Sequence, residues 1–279
     1  MNFAMTGHKG LIGSFLLKKL IERGDKPVLL VDTREGKNIL DIGNYNLKDK
    51  IDVFIHLASF CKINKIIENP LLTFENNSKG MERIMEFCRK NEIPKMVFTS
   101  SSRILSKEKN PYTASKIYGE ELVKGYFQCY GIDYVIIRPS TVYGPFNDKT
   151  KRLIDIWILN ALKGEELKIY GNENKTLDFT YIDDFIEGFL IAMNEKNEEF
   201  DISSSASAKL SYVADFIIKL AGQGKKGFYE PEIAQPQEVE LDIYKIKNLD
   251  FYPKFSIEEG IKRTFEWYKE NFEEIKRSR

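Results

Sequence analysis

The chain begins with a short apolar run, "NFAMTG" at 2–7, and then changes period. From 11 to 23 apolar residues recur at helical spacing until Gly24 stops the pattern. Continuous apolar runs follow at 27–32 ("PVLLVD") and 52–58 ("DVFIHLA"), and their length and branched residues predict buried strands. A helical stretch over 71–91 leads to a strand at 95–101, and another over 112–131 leads to a strand at 133–140. This alternation predicts an α/β fold, a doubly wound parallel sheet covered by helices on both faces. Beyond 140 the rhythm loosens. Helices are expected near 151–163, 182–194, 209–221 and 256–272, with strands at 167–171 and 200–203. The pattern suggests one lobe of 1–139 plus about 178–203, and a smaller C-terminal lobe of 140–177 plus 204–279.

Composition removes several function classes. Forty-two Lys and Arg balance forty-two Asp and Glu, so no net field draws the chain to nucleic acid or an anionic membrane. The three cysteines are far apart and there are two histidines, which argues against a disulfide framework or a metal site. No apolar run approaches membrane-spanning length, and Met1 leads into the first strand without a charged leader. A soluble, cytoplasmic protein is expected.

The first strand runs into "MTGHKGLIGS", with glycines at 7, 10 and 13. Glycine permits the turn and lets a phosphate approach the backbone, and the helix that follows offers free N–H groups to an anion. The spacing is G-x-x-G-x-x-G, which a purely structural turn would also satisfy. Asp32 changes the balance: it ends the second strand nineteen residues after Gly13, where a carboxylate can bind the adenosine ribose hydroxyls. Together these features predict a Rossmann-type NAD-binding domain. Arg34 could instead hold a 2′-phosphate, so NAD is preferred over NADP rather than required. Asp41 either contacts the adenine or is an exposed loop acid.

Tyr112 and Lys116 stand at i and i+4 on one face of the helix that Pro111 opens. A tyrosine normally keeps its proton at neutral pH, and a nearby ammonium together with the positive nicotinamide of an oxidised cofactor is expected to favour the phenolate. Such a phenol can take a proton from a carbinol while a nicotinamide takes hydride, with a strand-end serine holding the oxygen. A solvent-facing helical turn would carry the same two residues.

With these residues assembled, the chain resembles the extended short-chain dehydrogenase/reductases of the NAD-dependent epimerase/dehydratase family, typified by UDP-glucose 4-epimerase-like nucleotide-sugar enzymes. The resemblance covers nearly the whole chain. "TGHKGLIGS" is similar to the family's glycine loop, "HLAS" (56–59) to its third-strand end, and "FTSSSR" and "PYTASK" to its catalytic segments. "RPSTVYGP", "DFTYIDDFIEGF" and "FYPKFSIEEGIKRTFEWY" are similar to its later signatures. It implies Ser101, Tyr112 and Lys116 as catalytic residues. It implies a cofactor site of Gly7, Gly10, Leu11, Ile12, Gly13, Asp32, Asp41, Ile42, Leu57, Ala58, Asn77, Tyr112 and Lys116, and a substrate-binding C-terminal lobe. Substrate contacts are implied at Ser102, Arg103, Thr141 and Lys175.

The departures from the family pattern bear on the reaction. Thr141 and Leu177 stand where an asparagine and an arginine commonly hold the sugar-nucleotide diphosphate, and Lys175 or Arg152 could take over. Ser102 and Arg103 occupy the places of the Asp-Glu pair of 4,6-dehydratases, and the glutamate of related decarboxylases is missing. The stretch from Ser101 to Tyr112 is shorter than usual, implying a more open pocket or a smaller group. The leading expectation is therefore an NAD-dependent nucleotide-sugar epimerase. A reductase or dehydrogenase of a nucleotide-linked or smaller sugar, and a non-catalytic dinucleotide sensor, are the alternatives. A homodimer through helices 71–91 and 112–130 is implied, although Met81, Ile84, Met85 and Phe87 are equally expected in the core. Phe60, Tyr143 and Phe179 could line the cleft or serve as packing.

Overall fold

The protein is described as a computed structural model that covers residues 1–278 except 148, 151, 205–206, 235–238 and 240. Its strands, in chain order, are β1 (Asn2–Thr6), β2 (Lys26–Val31), β3 (Val53–His56), β4 (Lys95–Thr99), β5 (Asp133–Pro139), β6 (Thr141–Tyr143), β7 (Glu166–Tyr170), β8 (Thr176–Tyr181), β9 (Glu198–Ile202), β10 (Ser207–Lys209) and β11 (Lys225–Tyr229). Six of them form a parallel sheet ordered β2-β1-β3-β4-β5-β9.

The continuous apolar runs are explained by what covers each face. Phe3, Met5, Val53, Ile55, Val97, Val135 and Ile137 enter one core cluster with Leu16 and Leu20 of the helix Leu11–Glu22 and Phe185 of the helix Ile182–Ala192. Their neighbours Ala4, Phe54, Met96, Phe98 and Ile136 enter another, with Met81, Ile84, Met85 and Phe87 of the helix Lys79–Lys90 and Val123 of the helix Pro111–Tyr130. Alternate side chains of each strand thus bury in opposite layers.

Two segments depart from the simple alternation. Residues 32–52 contribute 3₁₀ turns at Thr33–Glu35 and Ile39–Asn44, leaving β2 at the sheet edge. The helix expected over 71–91 is broken into a turn at Leu71–Thr73, a π-turn at Phe74–Ser78 and the helix proper, Lys79–Lys90. Such π-turns are often found at functional sites. This one carries the buried Asn77.

The rest of the chain builds a three-stranded sheet, β10-β8-β6, and a parallel pair, β11-β7. Trp157 of the helix Leu153–Leu162 is buried, its indole donating to the Lys168 carbonyl of β7 at 3.1 Å. The core cluster that starts at Phe3 continues unbroken through Trp157 to Phe265 of the helix Ile257–Glu270. Tyr143 and Phe179 are buried members of it. The chain passes from β5 to β6 across one residue, Ser140. Ser140 donates its backbone N–H to the Ile202 carbonyl (3.1 Å), and its hydroxyl lies 2.5 Å from that of Thr180. The Thr180 hydroxyl also accepts from the Ser204 N–H at 3.0 Å, and the Ser204 hydroxyl donates to the Phe179 carbonyl at 2.9 Å.

Candidate active site

In an open parallel sheet ligands sit at the carboxyl ends of the strands where the order reverses, which here is the gap between β1 and β3. Three loops meet there. Gly7 has φ +76°, and a Cβ on it would lie 2.8 Å from the Ala58 nitrogen just after β3. A Cβ on Gly13 would lie 2.2 Å from the Gly7 carbonyl oxygen. Gly10 caps the helix that Leu11 (buried) and Ile12 (half-buried) begin, so its first-turn N–H groups face the turn. Leu57 and Ala58 are tied to β1, with Leu57 N–H donating to the Thr6 carbonyl (3.3 Å) and Ala58 N–H to the Thr6 hydroxyl (3.2 Å).

Asp32 follows β2 and accepts from the backbone N–H groups of Lys9 (3.0 Å) and Arg34 (3.0 Å), which fixes its carboxylate beside the glycine turn. The Arg34 guanidinium donates to the Lys9 carbonyl, and Glu35 pairs with Lys9 at 2.7 Å and lies 3.1 Å from the His8 ring. Asp41 is exposed, whereas Ile42 of the same 3₁₀ turn is buried in the core.

The hydroxyl, phenol and ammonium converge at the end of β4. Ser101, Tyr112 and Lys116 are all buried. Asn110 caps the tyrosine helix in a reciprocal box with Thr113, and Pro111 fills its first turn. Lys116 donates to the Thr99 carbonyl at 2.8 Å, with its ammonium 5.0 Å from the Phe98 ring and 5.9 Å from that of Tyr112. Burial pushes the ammonium down to about 8, against the opposing pull of Cys61 and Glu120.

The Tyr112 phenol is set by the protein groups around it. Burial raises it to about 12, helped by Cys61. The Ser101 hydroxyl bonded to it, together with Arg103 and Arg152, acts in the lowering direction. Two arginines, one from the turn after β4 and one forty residues downstream, therefore lie where they favour the phenolate. Phe60 and Cys61, on the loop after β3, pack against Tyr112 with Ile63 and Ile66. Their sequence signal was only that they follow "HLAS".

Asn77 joins two of these loops. Its Oδ1 accepts from Phe60 N–H (2.8 Å) and lies 3.4 Å from the Ser59 hydroxyl, and its Nδ2 donates to the Phe60 carbonyl (3.0 Å) and the Ser115 hydroxyl (3.1 Å). Ser115 in turn donates to the Tyr112 carbonyl at 2.7 Å.

The expected substrate contacts come from the turn after β4, from β6 and from just before β8. Ser102 is buried, and Arg103 lies in the 3₁₀ turn that Ser101 caps. Thr141 is half-buried in β6, paired with Phe179. Arg103 is pulled down mainly by burial and further by Arg152, and Lys175 is lowered by burial and by Arg103, so the three cations share one neighbourhood. Arg152 donates to the Val142 carbonyl (3.3 Å), and Lys175 to the Tyr170 carbonyl (3.2 Å). Leu177 packs against the main core and takes no part.

A dinucleotide fits this surface. The glycine turn has no room for side chains. Three buried polar atoms at the strand ends, Nδ1 of His8 and the hydroxyls of Thr99 and Ser100, have no protein partner. Buried polar groups are rarely left so unless a ligand or water meets them. Among the described residues no cluster suited to a metal ion occurs, and no helix is long and apolar enough to cross a membrane.

Residues 3–203 match the NAD dependent epimerase/dehydratase family. A Methanocaldococcus jannaschii protein that bears the name "Putative UDP-glucose 4-epimerase" is 33% identical over 96% of this chain and 98% of its own length. A UDP-N-acetyl-alpha-D-glucosaminuronate decarboxylase of Bacillus cytotoxicus is 29% identical over 95% of this chain and 97% of its own. The structure of the Thermotoga maritima UDP-glucose 4-epimerase with UDP-glucose superposes with a TM-score of 0.89 at 25% identity, over 98% of this chain and 100% of that one.

Proposed function

We propose that this chain, which belongs to the NAD dependent epimerase/dehydratase family, is a nucleotide-sugar epimerase of the 4-epimerase type. The family makes it an NAD-dependent enzyme. The observation that carries the narrower reading is the convergence of Ser101, Tyr112 and Lys116 beside the glycine turn, with no carboxylate at 102 or 103. Water elimination or decarboxylation needs further acid–base groups there, whereas epimerisation needs only reversible oxidation of one carbinol. Bound NAD⁺ supplies the hydride acceptor. Tyr112 Oη removes the proton of the sugar hydroxyl, and Ser101 Oγ hydrogen-bonds the oxygen as it becomes a carbonyl. Lys116, fixed on the Thr99 carbonyl, keeps positive charge beneath the tyrosine. The same groups return the proton to the oxygen as the hydride goes back to the carbon on the other face of the turned keto sugar.

Arg103, Arg152 and Lys175 support a substrate that carries a diphosphate. Burial and their mutual proximity lower Arg103 and Lys175 while Glu232 acts in the raising direction, and Lys175 or Arg152 would supply the charge-assisted diphosphate contact that Leu177 cannot make. Asp32, held by two backbone N–H groups where an adenosine ribose would lie, favours NAD over NADP, whose 2′-phosphate it would repel. A homodimer is supported by Leu71, Phe74, Ile117 and Tyr118, exposed beside a groove of about 710 Å³ between the two outward-facing helical segments. A second copy of this chain is its proposed occupant.

Proton NMR of the purified enzyme with UDP-, GDP-, CDP- and dTDP-hexoses tests the reading. The expected result is an equilibrium pair of epimers without added cofactor, lost in Tyr112→Phe. Net production of NADH with exchangeable cofactor would overturn the epimerase in favour of a dehydrogenase.

A further inference from the structure

A short segment runs from the β11-β7 pair back to the start of the tyrosine helix. It begins where β11 ends. Tyr229 is the register partner of Tyr170 in β7, its carbonyl accepts from Gly171 N–H at 2.9 Å, and the Tyr170 carbonyl holds Lys175. Residues 230–234 then leave this pair, and two asparagines receive them. Asn64 Nδ2 donates to Glu232 Oε1 at 2.6 Å, and Asn110 Nδ2 donates to the Ala234 carbonyl at 3.0 Å. Pro231 and Ile233 are exposed while Glu232 and Ala234 are half-buried, so alternate residues of this strap turn inward. Both landing points adjoin Tyr112. Asn110 caps its helix two residues earlier, and Asn64 follows Ile63, which packs against Tyr112.

Asparagine at 110 does more than a cap requires. An N-cap needs only a side-chain acceptor, which serine or aspartate supplies as well. Asn110 Oδ1 makes that bond, to Thr113 N–H at 3.0 Å. Its Nδ2 is left as the donor of a buried side chain, costly without the Ala234 carbonyl that meets it. Ala234 in turn has φ +53°, a left-handed conformation that a residue with a Cβ adopts at a cost, and such strain gathers at ligand clamps. Burial lowers Arg103 and Lys175 and Glu232 opposes it at both, which agrees with a strap passing near the cations expected to touch substrate. The geometry points to residues 230–234 as a wall that holds the sugar of a nucleotide-linked substrate beside Tyr112, with Asn110 and Asn64 as the positioning residues that fix it. This rests on reading the site as one for an activated sugar. A wall on the sugar adds affinity for the sugar and none for the nucleotide that carries it.

Calorimetric binding of UDP-glucose and of UDP to the NAD-loaded enzyme tests it, with the corresponding GDP, CDP or dTDP pair used if that binds instead. Asn110→Ser keeps the cap and loses the donor to the strap, and Asn64→Ala removes the exposed tether alone. Each should weaken UDP-glucose about tenfold, the size of one lost contact, and leave UDP within about twofold. NAD affinity should not change. Equal losses for UDP-glucose and UDP would make the asparagines purely structural and overturn the wall, as would UDP-glucose affinity unchanged in both variants. If Asn110→Ser does not fold, Asn64→Ala decides alone. A wild type that binds none of the four nucleotide-hexoses refutes the activated-sugar reading and this wall together. Binding that neither variant alters refutes the wall only.

Discussion

Replacing Asn77 by alanine removes a side chain that closes the site from behind. It makes three bonds of 2.8–3.1 Å, two to the Phe60 backbone and one to Ser115, plus a longer contact to Ser59. Each contributes about 1 kcal/mol net, and leaving the Phe60 N–H and carbonyl without partners adds to the loss. The expected destabilisation is about 2–4 kcal/mol, a large part of the roughly 5–15 kcal/mol that folded proteins possess. Urea unfolding followed by tryptophan fluorescence reads it directly, and the m-value should stay constant. Because Ser115 is bonded to the Tyr112 carbonyl, kcat/KM should fall at urea concentrations where the protein is still fully folded. Asn77→Asp is the sharper variant. It is nearly isosteric, yet it turns a donor into an acceptor facing the Phe60 carbonyl, so it should destabilise at least as much as alanine. If alanine costs less than about 0.5 kcal/mol, or aspartate matches the wild type, Asn77 does not hold the loop and the reasoning fails.

Gly13→Ala would gain helix propensity of up to about 1 kcal/mol, but its methyl would meet the Gly7 carbonyl at 2.2 Å. The expected result is at least a tenfold weaker hold on NAD by equilibrium dialysis; unchanged affinity would mean the turn is not the dinucleotide site. His56, which burial depresses from its ordinary value to about 3, resists protonation in the folded state while the unfolded chain takes a proton near 6.5. Stability should therefore fall as pH drops from about 6.5 toward 3, this residue contributing about 1.4 kcal/mol per unit. His56→Gln should remove that part of the slope, and identical slopes would refute it. Phe74→Glu, on the exposed groove, should convert a dimer to monomers in sedimentation velocity without loss of thermal stability; a wild type that sediments as a monomer would remove the dimer.

Much of this was legible in the sequence because the site is built at strand ends, where glycine, acid and hydroxyl residues interrupt apolar runs. The glycine turn, Asp32, Ser101, Tyr112 and Lys116 all carry such local signals. The π-turn at 74–78 does not, because a single widened turn leaves the helical period of 71–91 almost intact. Strands β6 and β10 have three residues each, too few to show a period, and β11 begins with two lysines and a glycine. The effect of Arg152 on Tyr112 joins positions forty apart through tertiary packing. The "PYTASK" motif alone carries no sign of it.

The hydroxyl seam at Ser140, Thr180 and Ser204 has a kinetic consequence. A crossing one residue long, bonded to Ile202 and Thr180 and continuous with a single core, leaves no slack for a hinge at Ser140. Substrate should bind a crevice already at its working width, so association should be a single exponential whose rate rises linearly with concentration, without the plateau that a slow closing step imposes.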